Sequence, residues 1–268
     1  MKSYYITTPI YYVNDKPHIG HAYTTILADT LARFRRLVSQ ESFFLTGLDE
    51  HGLKVQQAAE KNGVSAKDHC DKMAPAFLEL WRKLDIQYSD FIRTTEDRHV
   101  KIVQNILNEV NKNGDIYQDE YEGWYSVAEE RFITDRELDS GLFREAKKIK
   151  ERNYFFKMSK YKDALIEKIE KDTNFIQPTT RKNEVLGFLK QDLSDLCISR
   201  PKSRLEWGIE IPFDKDYVTY VWFDALINYI SAPKYSEDDK HFKQLWPADV
   251  HLIGKDILTT HSVYWPTM

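Results

Sequence analysis

Two histidines one turn apart, His18 and His21 with Gly20 between them, have the residue types and spacing to hold phosphate. Their ring N–H groups are donors that can lie along a triphosphate, and Gly20 leaves room for a flat base or a ribose to approach the backbone. The run Pro17-His18-Ile19-Gly20-His21 follows an extended stretch, Tyr4-Tyr5-Ile6-Thr7-Thr8. It opens a helix whose apolar positions Leu27, Leu31, Phe34 and Val38 follow helical spacing. A strand, a short loop and a helix N-terminus make an anion site, because unpaired backbone amides and the helix dipole point at the ligand. Taken alone, the same residues also suit a helix that merely begins with two histidines.

The elements around this run supply a frame for it. Ser42-Phe43-Phe44-Leu45-Thr46 reads as a buried strand ending at Gly47. Two helical stretches follow, the second opened by Ser65 with Asp68 three residues on, a capping pattern. Asp90 to Thr94 reads as the next strand, and Val103, Leu107 and Val110 mark a helix stopped by Gly114. Strand–helix alternation of this kind predicts a parallel sheet with right-handed crossovers and ligands outside the carboxyl ends of its strands. His18 to His21 and Asp49 both fall at such ends. The pattern changes between Tyr117 and Phe213, where short extended pieces such as Gly123-Trp124-Tyr125 and Tyr154-Phe155-Phe156 precede helical stretches near 161–172 and 183–195. Regular order returns with a strand from Tyr217 to Trp222, a helix through Tyr229, a strand from Val250 to Ile253 and a helix from Asp256 onward. The expected architecture is α/β: a Rossmann-like doubly wound parallel sheet in two halves, 1–116 and 214–268, interrupted by a small α+β domain over 117–213.

Bulk properties narrow the class. The chain has 268 residues, 42% of them hydrophobic and 30% charged, enough for a sizeable core and without an apolar run long enough to cross a membrane. The N-terminus lacks the apolar segment of a secretory signal, and only Cys70 and Cys197 are present, so a cytoplasmic protein without disulfides is expected. A net charge of −4 argues against a general nucleic-acid binder while leaving room for a local basic surface. Arg144, Lys147, Lys148, Lys150, Arg152, Lys157, Lys160 and Lys162 crowd one such stretch, with Arg181, Lys182, Arg200, Lys202 and Arg204 beyond it. A phosphate-facing patch and a solvated face interleaved with Glu145, Glu151 and Glu167 are both open readings.

Several motifs occur together and in order. Thr8-Pro9-Ile10-Tyr11-Tyr12-Val13-Asn14, Pro17 to His21 and Gly47-Leu48-Asp49-Glu50-His51-Gly52 are followed by Tyr220-Val221-Trp222-Phe223-Asp224-Ala225. Ile253-Gly254-Lys255-Asp256 and His261-Ser262-Val263-Tyr264-Trp265-Pro266 come last. This series resembles the catalytic part of the class I methionyl-tRNA synthetases over essentially the whole chain. The resemblance implies activation of L-methionine by ATP with Mg²⁺, transfer to tRNA(Met), and a monomer. It implies that His18 and His21 act as the catalytic signature histidines, with Gly20, Gly254, Lys255 and Asp256 on the ATP side. Asp49 would hold the amino group of methionine. Ile10, Tyr12, Trp222, Ala225, Leu226, Tyr229, His261 and Trp265 would form the cavity for its side chain, where aromatics contact the sulfur. On their own, Asp49 could cap a helix, and Trp222 and Trp265 could be ordinary core residues.

Departures from the family pattern matter too. Leu226 stands where many relatives carry proline, and Thr260 where an aromatic is frequent. The stretch Gly123 to Glu130, which matches a zinc knuckle in many relatives, has no cysteine, so no structural zinc is expected. Packing among Trp124, Tyr125, Phe132, Tyr154 and Phe155 would hold the insert instead. Lys157-Met158-Ser159-Lys160 looks like the family's pyrophosphate-clamp loop but lies inside the insert and is read as a coincidence. The true loop and an anticodon-binding domain are expected beyond Met268. A leucyl, isoleucyl or valyl enzyme is disfavoured because the insert is only about 100 residues, an ordinary small-domain size. A small nucleotidyltransferase and a non-catalytic methionine- or RNA-binding fragment are the remaining alternatives.

Overall fold

The computed structural model describes residues 2–126, 131–133, 138–139 and 146–268. Its centre is a parallel sheet built from β1 (Tyr4–Thr7), β2 (Tyr11–Tyr12), β3 (Ser42–Asp49), β4 (Asp90–Arg93) and β12 (Val250–His251). β3 lies between β1 and β4, β12 joins the free edge of β1, and β2 pairs with the carboxyl end of β3. Helices α1 (Ile19–Leu37), α2 (Leu53–Lys61), α3 (Ala66–Lys83) and α4 (Asp97–Lys112) connect the strands. The α/β architecture with parallel crossovers is as the alternation implied. Ser65 caps α3 by accepting from the Asp68 amide at 3.1 Å, and Gly114 ends α4 at φ +74°.

One expectation for the first half needs correction, and the buried face of α1 is not the one its large apolar residues mark. β3 does not stop at Gly47 but runs two residues further, to Asp49. A Cβ at Gly47 would lie 2.0 Å from the Ile92 carbonyl oxygen, so glycine is required here by the close approach of β4 rather than by a turn. The apolar residues that marked α1 do not face the core: Leu27, Leu31, Phe34 and Val38 are all exposed, together with Ile19, Tyr23, Ile26 and Leu37. The face that packs on the sheet is made of small residues, Ala28 and Ala32, against Tyr4, Ile6 and Phe44. Small side chains let the helix axis sit close to the strands. The buried Asp29 beside them is satisfied by Arg33 at 2.7 Å and the Gln87 amide at 3.1 Å.

The middle of the chain forms an antiparallel sheet from β5 (Ile116–Ser126), β6 (Arg131–Ile133), β7 (Ala146–Phe156) and β8 (Leu196–Cys197), ordered β6-β5-β7-β8. Helices α5 (Lys162–Lys171) and α6 (Thr179–Leu189) pack beside it; α6 begins and ends earlier than the sequence pattern suggested. A second small antiparallel sheet joins β9 (Ser199–Pro201), β10 (Glu210–Ile211) and β11 (Asp214–Thr219). The strand expected at Tyr217 to Trp222 therefore belongs to this sheet and not to the parallel one, and Val221 already opens a helix. Packing here is mostly aliphatic, with Met158, Leu165, Ile169, Val185 and Leu189 in one core with Ile102, Leu107, Phe223 and Ile227. Of the aromatic cluster expected, Phe155 stacks on Tyr117 at 5.7 Å and Tyr154 sits edge-on to Phe213 at 5.3 Å. The side chains of Tyr125 and Phe132 lie outside the described residues, as do Arg144 and the second half, 127–130, of the stretch matching the zinc knuckle.

The chain returns through α7 (Val221–Leu226), α8 (Asn228–Ser231) and α9 (Asp239–Leu245) to β12. It ends in a 3₁₀ turn at Lys255–Ile257, a π turn at Thr260–Tyr264 and the one-turn α10 (Trp265–Thr267), in place of one continuous helix. Among the described residues no helix is long and apolar enough to cross a membrane.

Candidate active site

A cavity of about 540 Å³ opens at the carboxyl ends of β1, β2 and β3, the end at which parallel sheets bind ligands. Ile10, Tyr12, His18, Gly20, His21, Asp49, Trp222, Ala225, Leu226, Tyr229, Gly254, Asp256 and His261 line it. The topology explains why residues so distant in sequence meet. Register pairing of Tyr12 with Asp49 sets the ammonium candidate beside an aromatic wall. The α7–α8 turn brings Trp222 to Tyr229 across from them, and the turn after β12 brings Gly254 and Asp256 to the histidines' side.

His18 is the N-cap of α1, and the two rings are stacked with centroids 3.8 Å apart. Nδ1 of His18 accepts from the Gly20 amide at 3.1 Å, and Nδ1 of His21 accepts from the His18 amide at 3.2 Å. With both Nδ1 atoms acting as acceptors, the ring hydrogens sit on Nε2, which leaves each Nε2–H as a donor. Burial, and then the neighbouring His18, lower the pKa of His21 to about 4, so its ring is neutral near pH 7. The reason for Gly20 also becomes specific: a Cβ there would meet the His18 ring at 2.9 Å. A side chain at position 20 would push the folded-back capping ring aside, whatever approaches from the cavity.

Asp49 is buried at the last position of β3, and α2 starts only after Gly52, so Asp49 is not a helix cap. On the opposite wall, His261 Nδ1 lies 2.9 Å from the Ile257 carbonyl oxygen. A carbonyl only accepts, so Nδ1 carries the hydrogen and Nε2 accepts from the Tyr229 hydroxyl at 2.7 Å. Burial pushes His261 down to about 4 and holds the Tyr229 phenol far above its ordinary range, so the pair is neutral. The Tyr229 ring also packs on His251 at 4.4 Å and on Trp265 at 5.7 Å. Trp265 thus backs the wall from behind Tyr229, against Trp246, rather than lining the cavity. Lys255 is likewise off the lining, exposed and paired with Asp256 at 3.1 Å.

Sequence reasoning missed Thr24, Lys54, Val221, Asn228 and Ile257, all of which line the cavity. Lys54 stands in the first turn of α2 and Thr24 in the second turn of α1, a signal available from their neighbours. Asn228 had none: its Nδ2 donates to the Ala225 carbonyl at 2.6 Å, and its buried Oδ1 has no hydrogen-bond partner among the described residues. Lys157-Met158-Ser159-Lys160 plays a packing part, with Met158 buried, Ser159 bonded to Asp195 at 2.6 Å and Lys160 paired with Asp115 at 2.6 Å. In the basic stretch, Lys148 pairs with Glu122 at 3.0 Å and Lys150 with Glu120 at 2.5 Å across β5 and β7, which favours the solvated-face reading.

Comparison with known proteins bears directly on this arrangement. The family description "tRNA synthetases class I (M)" matches residues 4–142 and 140–268. The chain belongs to the class I (M) tRNA synthetase family. Within it, the chain is 51% identical over 273 residues to the methionine–tRNA ligase of Clostridium tetani (strain Massachusetts / E88), and 46% identical over 286 residues to that of Halalkalibacterium halodurans. All of this chain is covered but only 42% and 43% of those relatives, so it spans well under half their length. The Mycobacterium tuberculosis methionyl-tRNA synthetase in complex with methionyl-adenylate superposes with a TM-score of 0.94 at 42% identity, over 99% of this chain and 54% of that one. Its apo form gives 0.83 at 40% identity, over 99% and 52%.

Proposed function

We propose that this family member activates L-methionine with ATP to give methionyl-adenylate and pyrophosphate, and that the whole protein passes the methionyl group to the 3′ end of tRNA(Met). One juxtaposition carries the reading: a buried carboxylate, Asp49, shares one cavity with the side chains of Tyr12, Trp222, Leu226 and Tyr229 and with the paired histidines. A carboxylate suits an α-ammonium, and Tyr12, Trp222, Leu226 and Tyr229 suit a polarisable thioether. A Mycobacterium tuberculosis relative solved in complex with methionyl-adenylate superposes on this chain with a TM-score of 0.94, which supports the reading.

The chemistry needs little beyond placement. A carboxylate oxygen of methionine attacks the α-phosphorus; the new O–P bond forms as the bond to the bridging oxygen of pyrophosphate breaks, and that electron pair leaves with pyrophosphate. No proton moves, since the attacking carboxylate is ionised at neutral pH. The protein therefore has to align the reactants and stabilise charge on the phosphate oxygens. The Nε2–H groups of His18 and His21 are assigned that stabilisation. Gly254 leaves open space for adenosine, Asp256 accepts from ribose hydroxyls, and Lys255 reaches the nucleotide from outside the lining. Mg²⁺ would arrive on the phosphates of ATP, since it keeps most of its water and is commonly carried by substrate phosphates. Residues 1–116 and 214–268 are read as two halves of the catalytic domain, with 117–213 inserted between them.

Calorimetric titration tests the amino-acid site. Methionine should bind and leucine should not, and Asp49→Asn should weaken methionine by about 1.5–3 kcal/mol, the scale of a hydrogen bond to a charged group. Equal affinity in parent and variant would remove Asp49 from the site. ATP–pyrophosphate exchange by the whole protein, dependent on methionine, tests the activation step.

A further inference from the structure

Behind the cavity runs a buried polar chain that the chemistry above does not use. Asp224, fully buried on α7, accepts from His51 Nδ1–H at 2.6 Å and from His99 Nε2–H at 2.7 Å, one bond on each carboxylate oxygen. On its far side His99 Nδ1 lies 2.9 Å from Ser231 Oγ on α8. His51 follows Asp49 by two residues, Asp224 follows Trp222 by two, and His99 stands on α4, behind both. The three adjacent residues Asp49, Glu50 and His51 thus have separate tasks. Asp49 faces the cavity. Glu50 is clamped toward β4 by Arg93 Nε at 2.6 Å and by the Thr95 hydroxyl. His51 is held in another direction, to α7, with Trp207 packed 5.3 Å from its ring and bonded to the Glu50 carbonyl.

We propose that the His51–Asp224–His99 chain is a positioning network that fixes the distance between Asp49 and the Trp222–Tyr229 wall, and through it the affinity and length selectivity for methionine. The proposal rests on the methionine reading given above. A linear amino acid held at its ammonium by one segment and at its thioether by another is measured by the separation of the two. Here those segments are 173 residues apart in sequence and are joined through one carboxylate. Burying a carboxylate is costly unless it is fully bonded, so the histidine donors hold α7 against both the segment after β3, through His51, and α4, through His99.

The test is methionine and ATP titration of His51→Ala and His51→Asn, the second keeping a donor near the Nδ1 position. His51→Ala should raise the methionine Kd about tenfold or more, the value of a lost charge-assisted bond, and leave the ATP Kd within about twofold. His51→Asn should restore most of the methionine affinity. Unchanged methionine binding in His51→Ala, or equal weakening of both ligands without rescue, overturns the network while the methionine reading stands. A parent protein that binds no methionine overturns both. Should His51→Ala fail to fold, the imidazole N–H resonances of the parent decide: saturating methionine should shift those of His51 and His99, and signals that stay put overturn the proposal.

Discussion

At Tyr229 one hydroxyl hydrogen orders a whole wall of the cavity. Because the Ile257 carbonyl takes the Nδ1–H of His261, the tyrosine must donate to Nε2, and the ring is held between His251 and Trp265. Tyr229→Phe leaves that buried nitrogen without a donor, so unfolding in denaturant should show a loss of about 1–3 kcal/mol. A change near zero would mean that water replaces the hydroxyl. Lys160 makes the opposite case. Its ammonium and the Tyr161 hydroxyl hold the Asp115 carboxyl below the usual carboxylate range. Lys160→Ala should therefore lower the melting temperature slightly and leave ATP affinity untouched; a large loss of ATP binding would place this lysine in the nucleotide site after all. The placement of Asp49 and the two histidines on one cavity was legible in the sequence, because each stands at a strand end. Asn228 and Ile257 were not, because only the α7–α8 turn and the loop after β12 bring them to the cavity.

At the scale of elements, the β3–β4 contact and the α1 face show which patterns mislead. A glycine at the end of an apolar run reads as a strand terminator, but the neighbouring backbone's approach to Gly47 was invisible until β4 was placed. Gly47→Ala puts a methyl group into the Ile92 carbonyl and should destabilise by at least about 3 kcal/mol or prevent folding, as overpacking against backbone does. Wild-type stability in that variant would mean that β4 can shift freely. In α1, helical spacing of Leu27, Leu31, Phe34 and Val38 correctly announced a helix but not its buried side, since Ala28 and Ala32 carry little hydrophobic signal yet allow the closest packing. Phe34→Ser and Leu37→Ser, at positions 53% and 83% exposed, should each change stability by under about 0.5 kcal/mol. A larger loss would show that this face is covered in the protein as purified.

Over the whole molecule, the parallel sheet was legible because alternation and periodicity are local, whereas the small β9–β11 sheet was not, because its pairing spans turns of no fixed pattern. The continuous core that joins α4, α5, α6 and α7 likewise depends on which faces meet, so the boundaries near residues 116 and 213 do not mark separate hydrophobic centres. One property belongs to the whole chain: its dependence on pH. His21 and His261 are lowered to about 4 and His251 to about 3, each mainly by burial, from an ordinary value near 6.5. Above pH 7 these rings are neutral in both states and contribute no slope. Between pH 6.5 and 4 the unfolded chain takes up protons that the native rings refuse, so stability must fall as pH falls through that window. The depressed carboxyls of Asp115 and Asp224 act in the same direction but below the ordinary carboxylate pKa, so the two groups separate on the pH axis. Urea midpoints should therefore drop between pH 7 and pH 5, before the carboxylates titrate. His261→Gln, which removes one of the three rings with lowered pKa, should make that drop shallower. A midpoint independent of pH over this range would mean that the rings lining and backing the cavity are protonated in the native state, and the neutral Tyr229–His261 wall would have to be abandoned.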